Sequence, residues 1–124
     1  MNKPICFKRT GGTNLLSIMK LDEYQQRANE TAIYPEGLNY PILGLVGEAG
    51  ELCNKYKKIL RDKGGIADIN DMGQLAKELG DVLWYVAQIA TELDVDLETV
   101  ARRNLMKLGD RKERGVLGGS GDDR

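Results

Sequence analysis

Apolar residues recur every three or four positions along most of this chain, and that spacing is the strongest constraint on its fold. The most apolar segment carries seven such residues: Leu75, Leu79, Val82, Leu83, Val86, Ile89 and Leu93. A second segment repeats the spacing with Leu45, Ala49, Leu52, Tyr56 and Ile59. No stretch shows the sustained two-residue alternation of a half-buried strand. The sequence therefore predicts an all-α fold, a small bundle of four main helices.

Capping and breaking residues set the expected boundaries. The first helix covers residues 21–34, and the second runs over residues 41–62, with a proline in its first turn. The third begins near Asp71, which is spaced as a capping box with Gln74. The fourth follows Asp96 as N-cap and ends near Gly109. This predicts an irregular lead-in over residues 1–19, a helical domain over 20–114 and a flexible Gly-rich tail over 115–124.

Composition removes several classes of function. The chain has 124 residues, enough for one domain, and a formal net charge of −1, which gives no electrostatic reason to bind nucleic acid. No apolar run reaches the ~18 residues of a membrane span. Cys6 and Cys53 are its two cysteines, so we expect a reducing, cytoplasmic location. It contains no histidine, which excludes histidine-based triads and most zinc sites.

Two pairs of acids stand out against this background. Glu48-x-x-Glu51 lies in the second predicted helix and Glu78-x-x-Asp81 in the third. A spacing of three places both carboxylates of a pair on one helical face. If the two helices pack antiparallel, all four carboxylates meet, and their repulsion is relieved either by protons or by a shared cation. All-oxygen ligation favours Mg²⁺ or Mn²⁺; the alternative is an ordinary solvated acidic face.

Glycines and cations accompany the acids. Gly44, Gly47, Gly50 and Gly80 lie beside the two pairs, and we interpret them as positions where a neighbouring backbone comes close. Cationic residues and one asparagine follow the acids on the second helix and again near the end of the fourth. They are Lys55, Lys58, Asn104, Lys107, Arg111 and Arg114. They predict either a surface for a polyanion or solvated helix faces with ordinary pairs such as Glu51–Lys55.

The blocks "GEAGELCNKYKK", "KELGDVLWYVAQIA" and "NLMKLGDRKERG" together resemble the MazG-like family of the all-α nucleoside triphosphate pyrophosphohydrolase superfamily. Its hallmark is ExxE, a spacer and then ExxD on two antiparallel helices. The resemblance covers residues 20–124. It implies Mg²⁺-dependent hydrolysis of a nucleoside triphosphate between the α and β phosphates, giving a nucleoside monophosphate and pyrophosphate.

The same resemblance assigns roles to residues of this chain. It implies four metal ligands, Glu48, Glu51, Glu78 and Asp81, with Glu48 or Glu51 as the catalytic base. It implies that Lys55, Lys58, Tyr85, Asn104, Lys107 and Arg111 bind the substrate. It also implies that the MazG-like fold is completed by a homo-oligomer, either a dimer or a tetramer. The many apolar residues of the third helix agree with this, because a single chain would leave some of them uncovered.

Two alternatives share the same residues. The fold could act on another diphosphate-bearing metabolite, or the chain could be a non-catalytic helical interaction module whose acids are solvated. Trp84 fits either the core or a stack against the base, so base preference stays open.

Overall fold

The computed structural model describes residues 18–121, and within them it contains four helices and no strand. These helices are α1 (Leu21–Asn29), α2 (Asn39–Lys63), α3 (Ile69–Glu92) and α4 (Leu97–Glu113). The predicted all-α, four-helix fold is confirmed. The predicted lead-in over residues 1–19 lies almost wholly outside the described residues, as do the last three residues of the predicted tail.

Helix α3 is the central element. It packs along α2 in the largest interface of the chain, and it also contacts α1 and α4. Because a loop of only five residues, 64–68, joins α2 to α3, the two helices lie antiparallel. This arrangement brings the two acidic pairs of the sequence onto facing helices.

The connection between α2 and α3 is fixed by caps and charge. Gly64, in the left-handed conformation at φ 60°, ends α2. The Asp68 carboxylate accepts a hydrogen bond from the backbone N–H of Asp71 at 2.9 Å, and the Asp71 carboxylate accepts one from the N–H of Asp68 at 2.9 Å. Lys63 Nζ donates to both carboxylates, at 2.7 and 2.6 Å. The capping box is therefore formed by Asp68 and Asp71, one turn before the predicted pair of Asp71 and Gln74, so that prediction is wrong.

Helix α4 starts at the predicted N-cap, but other residues satisfy its first amides. Asp96 makes no side-chain cap. Instead, Gln25 Oε1 accepts a hydrogen bond from the Leu97 N–H at 2.7 Å, and Asp22 Oδ1 accepts one from the Glu98 N–H at 2.9 Å. Helix α1 thus holds the start of α4 in place.

Two helix ends differ from the prediction. Helix α1 ends at Asn29, because the chain turns there and Thr31 Oγ1 donates to the Ala28 carbonyl at 2.7 Å. Helix α4 continues beyond Gly109 to Glu113. Arg114 pairs with the Asp110 carboxylate at 2.7 Å, a spacing of four that favours the helix through this turn.

The apolar core of a single chain is small. The buried apolar residues are Ala28, Ile59, Ala87, Ala90 and Leu97. Three of the apolar residues that define the third predicted helix are largely exposed instead: Leu79 at 58% and Leu83 at 40% on α3, and Leu93, just after its end, at 53%. The hydrophobic spacing correctly identified the helix, but α1 and α4 cover α3 mainly around Ala87 and Ala90. No described helix is both long enough and apolar enough to cross a membrane.

Candidate active site

A polar stripe runs along α3 on the side that faces α2. Its members follow one another at spacings of four, three, four and three: Gln74, Glu78, Asp81, Tyr85 and Gln88. The facing side of α2 carries Tyr40, Gly44, Glu48 and Lys55. Since residues at these spacings share a helical face, the two stripes form one seam between the helices.

Three carboxylates meet in the middle of this seam. Glu48 from α2 and Glu78 and Asp81 from α3 each offer one oxygen, and these oxygens all lie within 4.8 Å of one another. Glu78 is buried, with 7% of its surface exposed. Carboxylate oxygens from three side chains are a donor set that suits a hard divalent cation such as Mg²⁺ or Mn²⁺.

Glu51, the fourth predicted ligand, is exposed and lies outside this group of three. Its charge still reaches the group. Burial raises the pKa of Glu48, and the negative charges of Glu51, Asp81 and Glu78 raise it further. The structure therefore gathers three of the four predicted acids, with the fourth one turn along α2.

The seam becomes cationic beyond the acids. Lys55 Nζ lies 2.7 Å from Glu78 Oε1 and donates to Gln74 Oε1 at 3.3 Å. Lys55 and Lys58 line a cavity of about 280 Å³ whose other walls are Ile59, Asp62, Lys63, Asp71 and Gln74. Two of the predicted substrate-binding lysines therefore border one cavity next to the acids, and Lys55 pairs across the helices with Glu78.

The opposite end of the seam is aromatic. Tyr85, the predicted nucleotide contact, lies 6.4 Å from Tyr40 between ring centroids. It also lies 4.9 Å from Trp84, with the two rings perpendicular. Tyr34 stacks on Tyr40 at 5.0 Å. Burial raises the pKa of Tyr85, and hydrogen bonding with Tyr40 and nearby carboxylates raise it further, so its hydroxyl stays protonated at neutral pH.

Trp84 belongs to the packing of the chain. Its Nε1 donates to the Ala28 carbonyl at 3.2 Å and to Thr31 Oγ1 at 2.8 Å. Its ring packs against the buried core cluster. The indole thus joins α3 to the end of α1.

The four glycines near the acids differ in whether another group occupies the space that a side chain would fill. A side chain at Gly44 would overlap the ring of Tyr85, so this glycine does allow a close approach, although of a side chain and not of the predicted backbone. Nothing lies within 4 Å of the Cβ position at Gly47, Gly50 or Gly80. The interpretation of all four as close-approach positions is therefore wrong for these three within the single chain.

The predicted substrate-binding residues on α4 lie on a separate element. Asn104 and Lys107 are exposed, whereas Arg111 is buried, with 4% of its surface exposed. Helix α4 packs on α1 and α3, and within the described residues its backbone has no close contact with α2. Helix packing within one chain therefore does not place these three residues against the lysines of α2.

Sequence reasoning missed Gln74, Tyr40 and Gln88. Gln88 is fully buried; its Oε1 accepts a hydrogen bond from the Tyr34 hydroxyl at 3.4 Å, and its Nε2 has no hydrogen-bond partner in the described part of the chain. The available signal was the stripe on α3 itself, in which polar residues recur at helical spacing through the most apolar segment.

Comparison with known proteins places this geometry in a family. The chain is 57% identical over 114 residues to the "Gene 37 protein" of Mycobacterium phage L5, an alignment that covers 86% of this chain and all of the relative. No solved structure matches the chain. The family model for the MazG nucleotide pyrophosphohydrolase domain matches residues 39–116, which contain the acidic cluster and both lysines. The chain therefore belongs to the MazG nucleotide pyrophosphohydrolase domain family.

Proposed function

We propose that this chain is a Mg²⁺-dependent nucleoside triphosphate pyrophosphohydrolase that cleaves (d)NTP between the α and β phosphates. The products are (d)NMP and pyrophosphate. The observation that carries the proposal is the meeting of Glu48, Glu78 and Asp81 between α2 and α3. Family membership supports the reaction class.

The acids would hold the metal. Glu48, Glu78 and Asp81 supply three carboxylate oxygens, and Glu51, exposed and one turn along α2, would be a weaker fourth ligand. Mg²⁺ or, as a substitute, Mn²⁺ fits this donor set. When bound, the metal supplies positive charge to the phosphate oxygens and lowers the pKa of a coordinated water.

The remaining residues bind and orient the substrate. Lys55, which pairs with Glu78, and Lys58, which lines the same cavity as Lys55, neutralise phosphate charge as pyrophosphate leaves. Tyr85 borders the acids on the other side and contacts the nucleoside. The resemblance also assigns phosphate and sugar contacts to Asn104, Lys107 and Arg111; because α4 does not contact α2 within one chain, a second copy would have to bring these residues to the site. Glu48 or Glu51 accepts the proton of the attacking water, whose oxygen replaces the bridging oxygen at phosphorus.

We also propose a homo-oligomer, either a dimer or a tetramer. Met72, Leu79 and Leu83 occur at spacings of seven and four along α3 and are 45%, 58% and 40% exposed. An exposed apolar face of this kind is unusual in a stable monomer. A second copy covering it would complete the core that one chain leaves small.

The exposed thiol of Cys53 agrees with the predicted cytoplasmic location.

The test is a hydrolysis assay over the eight common NTPs and dNTPs with Mg²⁺, with orthophosphate detected before and after addition of inorganic pyrophosphatase. We expect orthophosphate only after that addition, and no activity in Glu78→Gln. Orthophosphate released without pyrophosphatase would contradict cleavage between the α and β phosphates. If Glu78→Gln matched the wild type, the acidic cluster would not be the site.

A further inference from the structure

Gly44 differs from every other helical glycine that the structure describes. A side chain there would overlap Tyr85 far inside the ~3.5 Å of an ordinary carbon–carbon contact, because the ring lies directly on the backbone of α2. Nothing lies within 4 Å of the corresponding position at the others: Gly47, Gly50, Gly73, Gly80 and Gly109. The ring of Tyr85 therefore fills the space that a side chain at position 44 would need.

The contact sets where the Tyr85 hydroxyl lies. Gly44 is one turn after Tyr40 and one turn before Glu48 on α2. A ring placed over Gly44 lies between these two residues, within the electrostatic influence of Glu48 and Asp81 and 6.4 Å from the Tyr40 ring. A side chain at position 44 would push the ring off this position.

The order of groups along the seam gives this position a meaning. Tyr40 and Tyr85 lie at one end, the acids lie in the middle, and Lys55 with Gln74 lies at the other end. A nucleoside triphosphate has the same polarity, with an aromatic base at one end and phosphates at the other. Since lysines favour phosphate, the nucleoside falls at the tyrosine end.

We propose that Gly44 is a positioning residue, whose missing side chain seats Tyr85 on α2 so that Tyr40 and Tyr85 border the nucleoside end of the substrate. The part of this inference that concerns the nucleoside rests on the proposed function. The placement of the Tyr85 ring against the backbone of α2 at Gly44, which we call the seat, rests only on the contact between these two residues.

The seat can be tested without turnover. Trp84 is the sole tryptophan of the chain, and its ring lies 4.9 Å from that of Tyr85. Gly44→Ala should shift Trp84 emission and lower Tm, whereas Gly73→Ala, a helical glycine with open space, should do neither. In a Tyr85→Ala background, Gly44→Ala should no longer lower Tm, because the ring that it displaces is gone. Equal Tm losses in both backgrounds, or unchanged Trp84 emission, would overturn the seat.

The nucleoside end is tested by two ligands in the presence of Mg²⁺. Gly44→Ala should raise KM for the best (d)NTP roughly tenfold with kcat changed much less. Inhibition by inorganic pyrophosphate, which lacks a nucleoside, should keep its wild-type Ki. A parallel rise in KM and Ki would overturn the assignment of the tyrosines to the nucleoside. A wild-type chain that hydrolyses no triphosphate would overturn the proposed function and this assignment together, while the Trp84 and Tm measurements still decide the seat.

Discussion

Lys55 Nζ lies 2.7 Å from Oε1 of Glu78, across the seam between α2 and α3. The Glu78 side chain is only 9% exposed and that of Lys55 is 35% exposed, so this ion pair is substantially desolvated. A buried carboxylate needs a positive partner, and here Lys55 is the partner. The cation that we propose for phosphate binding therefore also stabilises a proposed metal ligand.

Replacing Lys55 by Met should lower the free energy of unfolding in metal-free buffer by about 1–3 kcal/mol, because the buried Glu78 loses its positive partner. Met keeps most of the apolar stem, so the loss reports on the charge. Chemical denaturation with and without Mg²⁺ measures the effect. Mg²⁺ should stabilise Lys55→Met more than the wild type.

The matched control is Lys57→Met, which removes an exposed lysine from the same helix. It should change the free energy of unfolding little. If Lys55→Met were equally harmless, the pair with Glu78 would have no energetic weight.

The pairing of Lys55 also shows what sequence can and cannot give. Helical spacing predicted all four helices, because apolar residues at three and four positions report directly on the helix period. The same spacing suggested Glu51 as an ordinary partner of Lys55, one turn away on α2. The lysine pairs instead with Glu78 on α3, because the register between two helices depends on packing, which spacing within one helix does not encode.

The candidate site was predictable to a similar extent. The two acidic pairs are visible in the sequence, and three of their four carboxylates meet. The contact between Gly44 and Tyr85 was not visible, because a glycine beside an acid looks the same whether or not a ring fills its space. The exposure of Leu79 was also missed: it belongs to the apolar spacing of α3, but it is 58% exposed in the single chain.

Glu51 and Glu78 should differ in their effect on metal binding. We expect Mg²⁺ to raise the Tm of the wild type, since a ligand that binds only the folded state stabilises it. Glu78→Gln should abolish this rise, because it removes a buried member of the acidic group. Glu51→Gln should shift the midpoint of the Mg²⁺ titration by only about tenfold, because Glu51 lies outside the group of three.

A thermal melt at a series of Mg²⁺ concentrations makes this comparison. Equal losses in both variants would mean that Glu51 is a full ligand. A wild-type Tm that ignores millimolar Mg²⁺, with nucleotide present, would contradict the metal assignment.

Acid should weaken the connection between α2 and α3. Hydrogen bonds from Lys63 and from the Asp71 amide hold the pKa of Asp68 at about 2, below its ordinary 3.8. A carboxyl group whose pKa is lower in the folded than in the unfolded state stabilises the fold at pH values above its unfolded pKa. That contribution is lost as the pH falls towards 2. Asp68→Asn keeps a capping side chain but cannot titrate. Between about pH 5 and pH 2.5, the wild type should therefore lose more stability than Asp68→Asn. Parallel losses in urea denaturation would show that Asp68 contributes nothing to the pH dependence.

The exposed apolar face of α3 should carry the subunit contact. Leu79→Glu places a charge at its centre, where a partner chain would have to desolvate it, so the oligomer should dissociate to a monomer. Gln26→Glu adds the same charge at an exposed position on α1 and should leave the assembly intact. Size-exclusion chromatography with light scattering at micromolar concentration gives the mass, and far-UV circular dichroism confirms that the helices persist. A monomeric wild type would refute the oligomer outright. An oligomeric Leu79→Glu would move the contact to another exposed face, such as that of Leu43 and Val46 on α2, which are 72% and 68% exposed.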